Sequence, residues 1–158
     1  MKKCGFTIIE LVISLAVFVI LTGGALLYIN NFNSRRDLDL AAEEVAATLR
    51  MTRNYAITSQ SPNNFTGELI RVGAMITNVG NTGIISGFGV NGEGVTFPYF
   101  EKYINNVNFL DVGETDIVFT VFEGKLLHGN ESIGMSLVSS SGSGETRTIK
   151  IDVSGKIE

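Results

Sequence analysis

The chain has 158 residues, room for one domain and little more, and its 12 Lys+Arg against 16 Asp+Glu give a formal charge of −4. An acidic chain is a poor general binder of nucleic acid, so any such role needs a local basic patch. One cysteine (Cys4) and one histidine (His128) leave no disulfide and no cysteine–histidine metal site to argue.

The chain opens Met1-Lys-Lys-Cys-Gly5, two cations ahead of an apolar region. From Leu11 to Ser34 there is no charged side chain, and the run Leu11 to Ile29 is long enough to cross a bilayer core, which takes roughly 20 apolar residues as helix. Phe6 to Ile9 extend the run on the other side of Glu10, so Glu10 is an acid inside an apolar stretch. An ionised side chain there costs about 2.5–3.5 kcal/mol on insertion scales, which marks it as functional and in need of a cationic partner. An ordinary secretory signal would put its apolar region before the cut. Here that cut would fall near Thr22 to Ala25 and discard Glu10. Lys2, Lys3 and the first amine place the start of the chain in the cytoplasm by the positive-inside rule, whereas Arg35 and Arg36 argue the other way.

After a polar interruption at Asn30 to Ser34, Leu38, Ala42, Val45, Leu49, Thr52 and Ala56 recur at helical spacing as one apolar stripe. Ser61-Pro62 ends it, because the residue before proline is pushed out of helical geometry. A continuous helix from Phe6 to about Gln60 would be roughly 80 Å long at 1.5 Å per residue. Gly23-Gly24 and the asparagine cluster are its weak points, where it bends or melts unless glycine is there simply as a common membrane-helix residue.

The remainder reads as short strands separated by turn residues: Glu68 to Thr77, Gly83 to Val90, Val95 to Phe100, Asn108 to Val112, Asp116 to Phe122, Lys125 to His128, Ile133 to Val138 and Arg147 to Val153. Ser139 to Glu145 is a turn that would join the last two as a hairpin. The expected fold is α+β: a long N-terminal helix, transmembrane in its first half and amphipathic in its second, packed on an antiparallel sheet domain. The organisation that follows is 1–5 as a leader, 6–29 as the transmembrane helix, 30–61 as its amphipathic continuation and 62–158 as the β-rich domain.

Chemistry is hard to place on this chain. His128 sits beside Gly129-Asn130, a turn, with no second histidine to join it. Gly87, Gly89, Gly92 and Gly94 lack the helix and Gly-Lys-Ser/Thr of a phosphate cradle and look like turns. Ser139 to Ser143 offers no nucleophile elbow. Asp111, Glu114 and Asp116 cluster at a turn without the spaced ligands of a calcium loop. No catalytic residue, metal or cofactor is expected.

Gly5, Phe6 and Glu10, with the short basic leader before them and the apolar run after, resemble the type III signal of the type IV pilin and type II secretion pseudopilin superfamily. That resemblance implies cleavage by a prepilin peptidase between Gly5 and Phe6, N-methylation of Phe6, and a role for Glu10 at the fifth mature position in assembly. The leader would lie in the cytoplasm and the domain outside a single-pass inner (plasma) membrane anchor. Losing Lys2 and Lys3 with the leader would take the formal charge from −4 to −6. Its implied partners are the lipid bilayer, other pilin or pseudopilin subunits and an inner-membrane assembly platform. The helix stretch Leu49 to Ile57 and the C-terminal run Gly144 to Glu158 resemble the H-type minor pseudopilins and the FimT-like minor pilins. The expectation is therefore a minor pseudopilin of a type II secretion pseudopilus, supporting protein secretion. The alternative is a minor type IV pilin acting in pilus biogenesis or DNA uptake, with Arg147, Lys150 and Lys156 as the DNA contacts. Glu145, Asp152 and Glu158 dilute that charge, so DNA is the less favoured partner.

Overall fold

The computed structural model describes residues 7–110, 115–127, 132–139 and 144–158, with the side chains of residues 26, 27, 30, 31 and 115 left aside. One α-helix, α1 (Ile8–Thr58), is followed by seven strands: β1 (Leu69–Val79), β2 (Thr82–Asn91), β3 (Thr96–Asn105), β4 (Val107–Leu110), β5 (Thr115–Thr120), β6 (Ile133–Ser139) and β7 (Thr146–Ile151). The chain has a long N-terminal helix and a sheet domain, an α+β fold.

Helix α1 runs unbroken through Gly23-Gly24 and the asparagine cluster. Neither glycine has an atom within van der Waals reach of its Cβ position, so no packing requirement explains the pair. The helix stops two residues before the expected Gln60. Ser59 adopts a left-handed conformation, its N–H donates to Ala56 O, and the N–H of Gln60 donates to Tyr55 O at 3.1 Å. This is a C-terminal cap that satisfies carbonyls the helix would leave orphaned, and it acts before Pro62 is reached.

The second half of α1 buries a stripe of Leu38, Ala41, Val45, Ala46, Thr48, Leu49, Thr52 and Ala56. The stripe is wider than the expected one, and Ala41 takes the buried place ahead of the half-buried Ala42. Thr48 and Thr52 fit the core because each hydroxyl donates to the carbonyl four residues back, Glu44 O and Thr48 O. Against this stripe lie Val72, Ala74 and Ile76 of β1, Ile117 and Phe119 of β5, Met135 and Leu137 of β6, and Ile149 and Ile151 of β7.

The strand order is β5-β1-β2-β4-β6-β7, with β3 also pairing β2. All pairings are antiparallel except one: β2 meets β4 in parallel at the single residue pair Thr82–Val107. The sheet is thus two antiparallel groups, β5-β1-β2-β3 and β4-β6-β7, meeting at a narrow joint. Asn78 clasps that joint: its Nδ2 donates to Phe109 O at 2.9 Å and its Oδ1 accepts from Phe109 N at 3.0 Å. A side-chain amide here imitates the missing neighbour strand.

Several expected strands change extent. β3 continues five residues beyond Phe100: Glu101 and Tyr103 face water, while Lys102, on the opposite face, is half-buried and pairs with Glu44 of α1 at 3.0 Å. Pro98 fits because β3 is an edge strand, beside an irregularity in the β2–β3 register. Lys125 to His128 does not form a strand: only Leu126 bridges, to Phe119, and His128 lies outside the described residues. Asp111, Val112 and Glu114 also lie outside them, while Asp116 is exposed on β5. The glycine series divides. Gly92 and Gly94 are at the β2–β3 turn, but Gly87 and Gly89 are inside β2. Gly87 faces the Phe100 ring and Gly73 the Phe88 ring, so a side chain at either would collide with a cross-strand aromatic. The glycines that suggested turns are partly landing places for phenylalanines.

Candidate assembly site on the N-terminal helix

Thr7 and Glu10 build the start of α1. The Thr7 hydroxyl oxygen accepts from Glu10 N at 3.4 Å, and a Glu10 carboxylate oxygen accepts from Thr7 N at 3.1 Å and from Thr7 Oγ1 at 2.9 Å. Thr7 has extended backbone geometry and Glu10 is the third helical residue, so the two close a reciprocal capping box. A carboxylate in the first turn also meets the positive end of the helix dipole. The sequence carries this signal as Thr7-Ile-Ile-Glu10, a Thr-x-x-Glu before an apolar run, so Glu10 has a local partner before any cation approaches. Gly5 and Phe6 lie outside the described residues.

Beyond the cap, Ile8–Ala25 is a helical span with mean hydropathy 2.4, none of it buried within the chain. Ile8, Leu11, Phe18, Ile20 and Leu21 are each at least 60% exposed. Such a surface cannot rest in water, where each buried large apolar side chain gains about 1.5–3 kcal/mol over an exposed one.

The three C-terminal basic residues are not brought into one patch. Arg147 and Lys150 are three apart on β7, so they point to opposite faces of the sheet. Arg147 is on the helix face and pairs with Asp39, which raises the guanidinium pKa by hydrogen bonding and by charge. Lys150 is exposed on the other face. Lys156 pairs with Glu158, which raises the ammonium pKa and lowers that of the carboxyl. Arg35 of α1 pairs with Glu145 at 2.7 Å, so Arg35 and Asp39 together hold the β6–β7 end against the helix. Arg50 and Arg53 also work inward: Arg50 Nη2 donates to Ile157 O at 3.2 Å, and Arg53 donates to Gly124 O at 3.0 Å and Ser154 O at 3.2 Å. These bonds tie the C-terminal segment to the helix.

Residues 1–26 match the family model of the prokaryotic N-terminal methylation motif. The fold matches crystal structures of the type IV minor pilin FimU of Pseudomonas aeruginosa. One crystal form gives a TM-score of 0.54 at 19% identity, over 80% of this chain and 90% of that one. A second gives 0.51 at 18% identity, over 77% and 90%. The chain's first 26 residues carry that motif, and its fold is type IV pilin-like. No curated protein sequence matches it.

The chain's polar groups hold helix to sheet. Among the described residues, no three of His, Cys, Asp and Glu are placed to hold a metal ion. What sequence reasoning missed was the acid opposite Arg147. Asp39 lies 108 residues away, and nothing local to β7 points to it.

Proposed function

We propose that this pilin-like chain is a filament subunit that waits in a membrane through the first half of α1 and assembles through the same helix. The observation carrying this reading is the fully exposed apolar span Ile8–Ala25, continuous with a helix that is otherwise the spine of a folded domain. A prepilin peptidase cuts after Gly5, and Phe6 becomes the N-methylated first residue. The anchor crosses the inner membrane once, with the leader inside and the domain outside. Other pilin-like subunits and an inner-membrane assembly platform are its partners. Glu10, released from its cap on Thr7, pairs with the amine of Phe6 on a neighbouring helix and fixes the register between them.

The likeness to FimU, named as a type IV minor pilin, favours a minor subunit of a pilus. A type II secretion pseudopilus is the second reading, supported by the resemblance of the Gly144–Glu158 run to the H-type pseudopilins. DNA is not favoured as a partner, because Arg147 and Lys156 already hold carboxylates.

Intact-mass measurement on the chain purified from its own envelope tests the reading. The expected mass is that of residues 6–158 plus one methyl group. A chain keeping residues 1–5, or beginning near Ala25, refutes it. Deletion then separates the settings: loss of surface pili marks the first, and loss of an exported protein with pili intact marks the second.

A further inference from the structure

Arg35 and Arg36 follow the apolar span on the side that the proposed orientation puts outside, where the positive-inside rule disfavours cations. The fold employs one of them. Arg35 pairs with Glu145, as Arg147 does with Asp39, but Arg36 is exposed and has no ion pair among the described residues. Arg36 lines an open cleft of about 500 Å³ between α1 and Arg147 of β7. Tyr28, Phe32 and Leu40 line it too, 72%, 55% and 52% exposed. Tyr28, Phe32, Arg36 and Leu40 recur every four residues and so share one face of the helix.

The height of this cleft follows from the apolar run, which ends at Ile29. With the hydrocarbon boundary there, Phe32 stands about 4.5 Å above it and Arg36 about 10.5 Å, at 1.5 Å per residue. The headgroup layer is about 5–7.5 Å thick on each side of the hydrocarbon core. Helical side chains lean toward the N-terminus of their helix, so the Arg36 guanidinium reaches back down among the phosphates. Tyr28 sits where amphipathic rings gather at a membrane surface. The nearby carboxylates do not compete. Asp39 holds Arg147, Glu43 lies about 10.5 Å further up the helix than Arg36, and Asp37 does not line the cleft.

We infer that this cleft takes the headgroup of an anionic phospholipid, with Arg36 on the phosphate and the Tyr28 and Phe32 rings against the glycerol and the upper acyl chain. The inference rests on the reading that Ile8–Ala25 crosses a membrane, and it names the lipid class and the residues that meet it. The guanidinium fork can donate two parallel N–H bonds to phosphate oxygens. A zwitterionic lipid fits less well, because its own ammonium already neutralises its phosphate. Free phosphate also fits less well, because it brings nothing for the two rings. The contact fixes the height and rotation of α1 in the membrane, and it gives Arg36 a use on the disfavoured side.

The test uses the full chain in bilayers of phosphatidylglycerol and phosphatidylcholine in equal parts. Phe32→Trp supplies a single fluorophore, since the chain has no other tryptophan. Bromine is placed near the top of the acyl chains, on one lipid or on the other, and quenching reports which lipid lies beside residue 32. Phosphatidylglycerol is expected to be enriched there about fivefold, the worth of one arginine at an anionic surface. Arg36→Gln abolishes the difference, whereas Arg71→Gln, which removes an exposed cation on β1, leaves it intact. Mass spectrometry of the unaltered chain released from the same bilayers shows the same preference in retained lipid, which excludes an effect of the tryptophan itself. Equal quenching by the two lipids overturns the inference and leaves the span standing. So does a preference that survives Arg36→Gln. Loss of the preference on adding inorganic phosphate, but not sodium chloride at the same ionic strength, assigns the cleft to free phosphate and also overturns it. A tryptophan quenched by neither lipid refutes the span, and the lipid site with it.

Discussion

Replacing Glu10 separates two roles that one carboxylate holds together. Its oxygens accept from Thr7 N at 3.1 Å and Thr7 Oγ1 at 2.9 Å, closing the cap. Glutamine can make both bonds, because a capping box takes Glu or Gln at this position. Alanine can make neither. Losing an N-cap of this kind costs about 1 kcal/mol, and Thr7→Ala isolates that contribution. Charge is the other role under the proposed assembly: it is expensive in lipid and would become useful only when a neighbour's amine approaches. Glu10→Gln is therefore expected to be cleaved, to insert at least as well as the parent, to keep the start of α1, and to enter filaments at least about tenfold less, the factor set by losing roughly 1.4 kcal/mol of pairing. Glu10→Ala shows that loss with a frayed first turn added, and Thr7→Ala shows the fraying with assembly largely kept. The assay is the ratio of filament-associated to membrane-associated chain, with intact mass to verify processing. Glu10→Gln assembling like the parent refutes the ion pair and leaves the cap as the whole role of Glu10.

Asn78→Leu removes the clasp on Phe109 and leaves that residue's N–H and carbonyl without the amide, so it lowers the stability of the detergent-solubilised chain by about 1 kcal/mol, read as a lower urea midpoint. Tyr99 stacks on Tyr55 with ring centroids 4.9 Å apart and donates to Gln60 O; burial, and next the charge of Tyr55, push its pKa from 10.0 to about 12. Because the folded value lies above the unfolded one, this contribution to stability is whole below pH ~10 and is lost as pH rises toward ~12. Tyr99→Phe therefore shows a shallower loss of stability across that window in alkaline unfolding. Arg147→Ala opens an exposed ion pair, so the fold survives, and DNA retention by the purified chain does not change; a drop in salt-dependent retention contradicts this placement.

The parts of the fold that repeat were legible. The apolar span, the stripe from Leu38 to Ala56 and the alternation in β7 each use a short period, and each stands close to where the periodicity puts it. Relations between distant elements were not. Periodicity gives no sign that Arg147 meets Asp39, that β2 touches β4 in parallel at one residue, or that Gly87 is small for the sake of Phe100. β3 runs past the expected Phe100 because Glu101 belongs to its wet face and Lys102 finds Glu44 on the distant helix, a partner no local pattern reveals. At the candidate site, Glu10 was visible as an anomaly, an acid among apolar residues, while its cap on Thr7 shows only in the Thr-x-x-Glu pattern of a helix start.

The narrow joint in the sheet has a mechanical meaning. In a filament assembled as proposed, tension would enter each subunit through α1, and a sheet whose two groups share one backbone ladder pair would part if the load had to cross it. It does not have to. Helix α1 packs on β1 and β5 of one group and on β6 and β7 of the other, so each group hangs from the rod separately, like two panels on one mast. The rod bears the pull, and the joint need only keep the panels aligned.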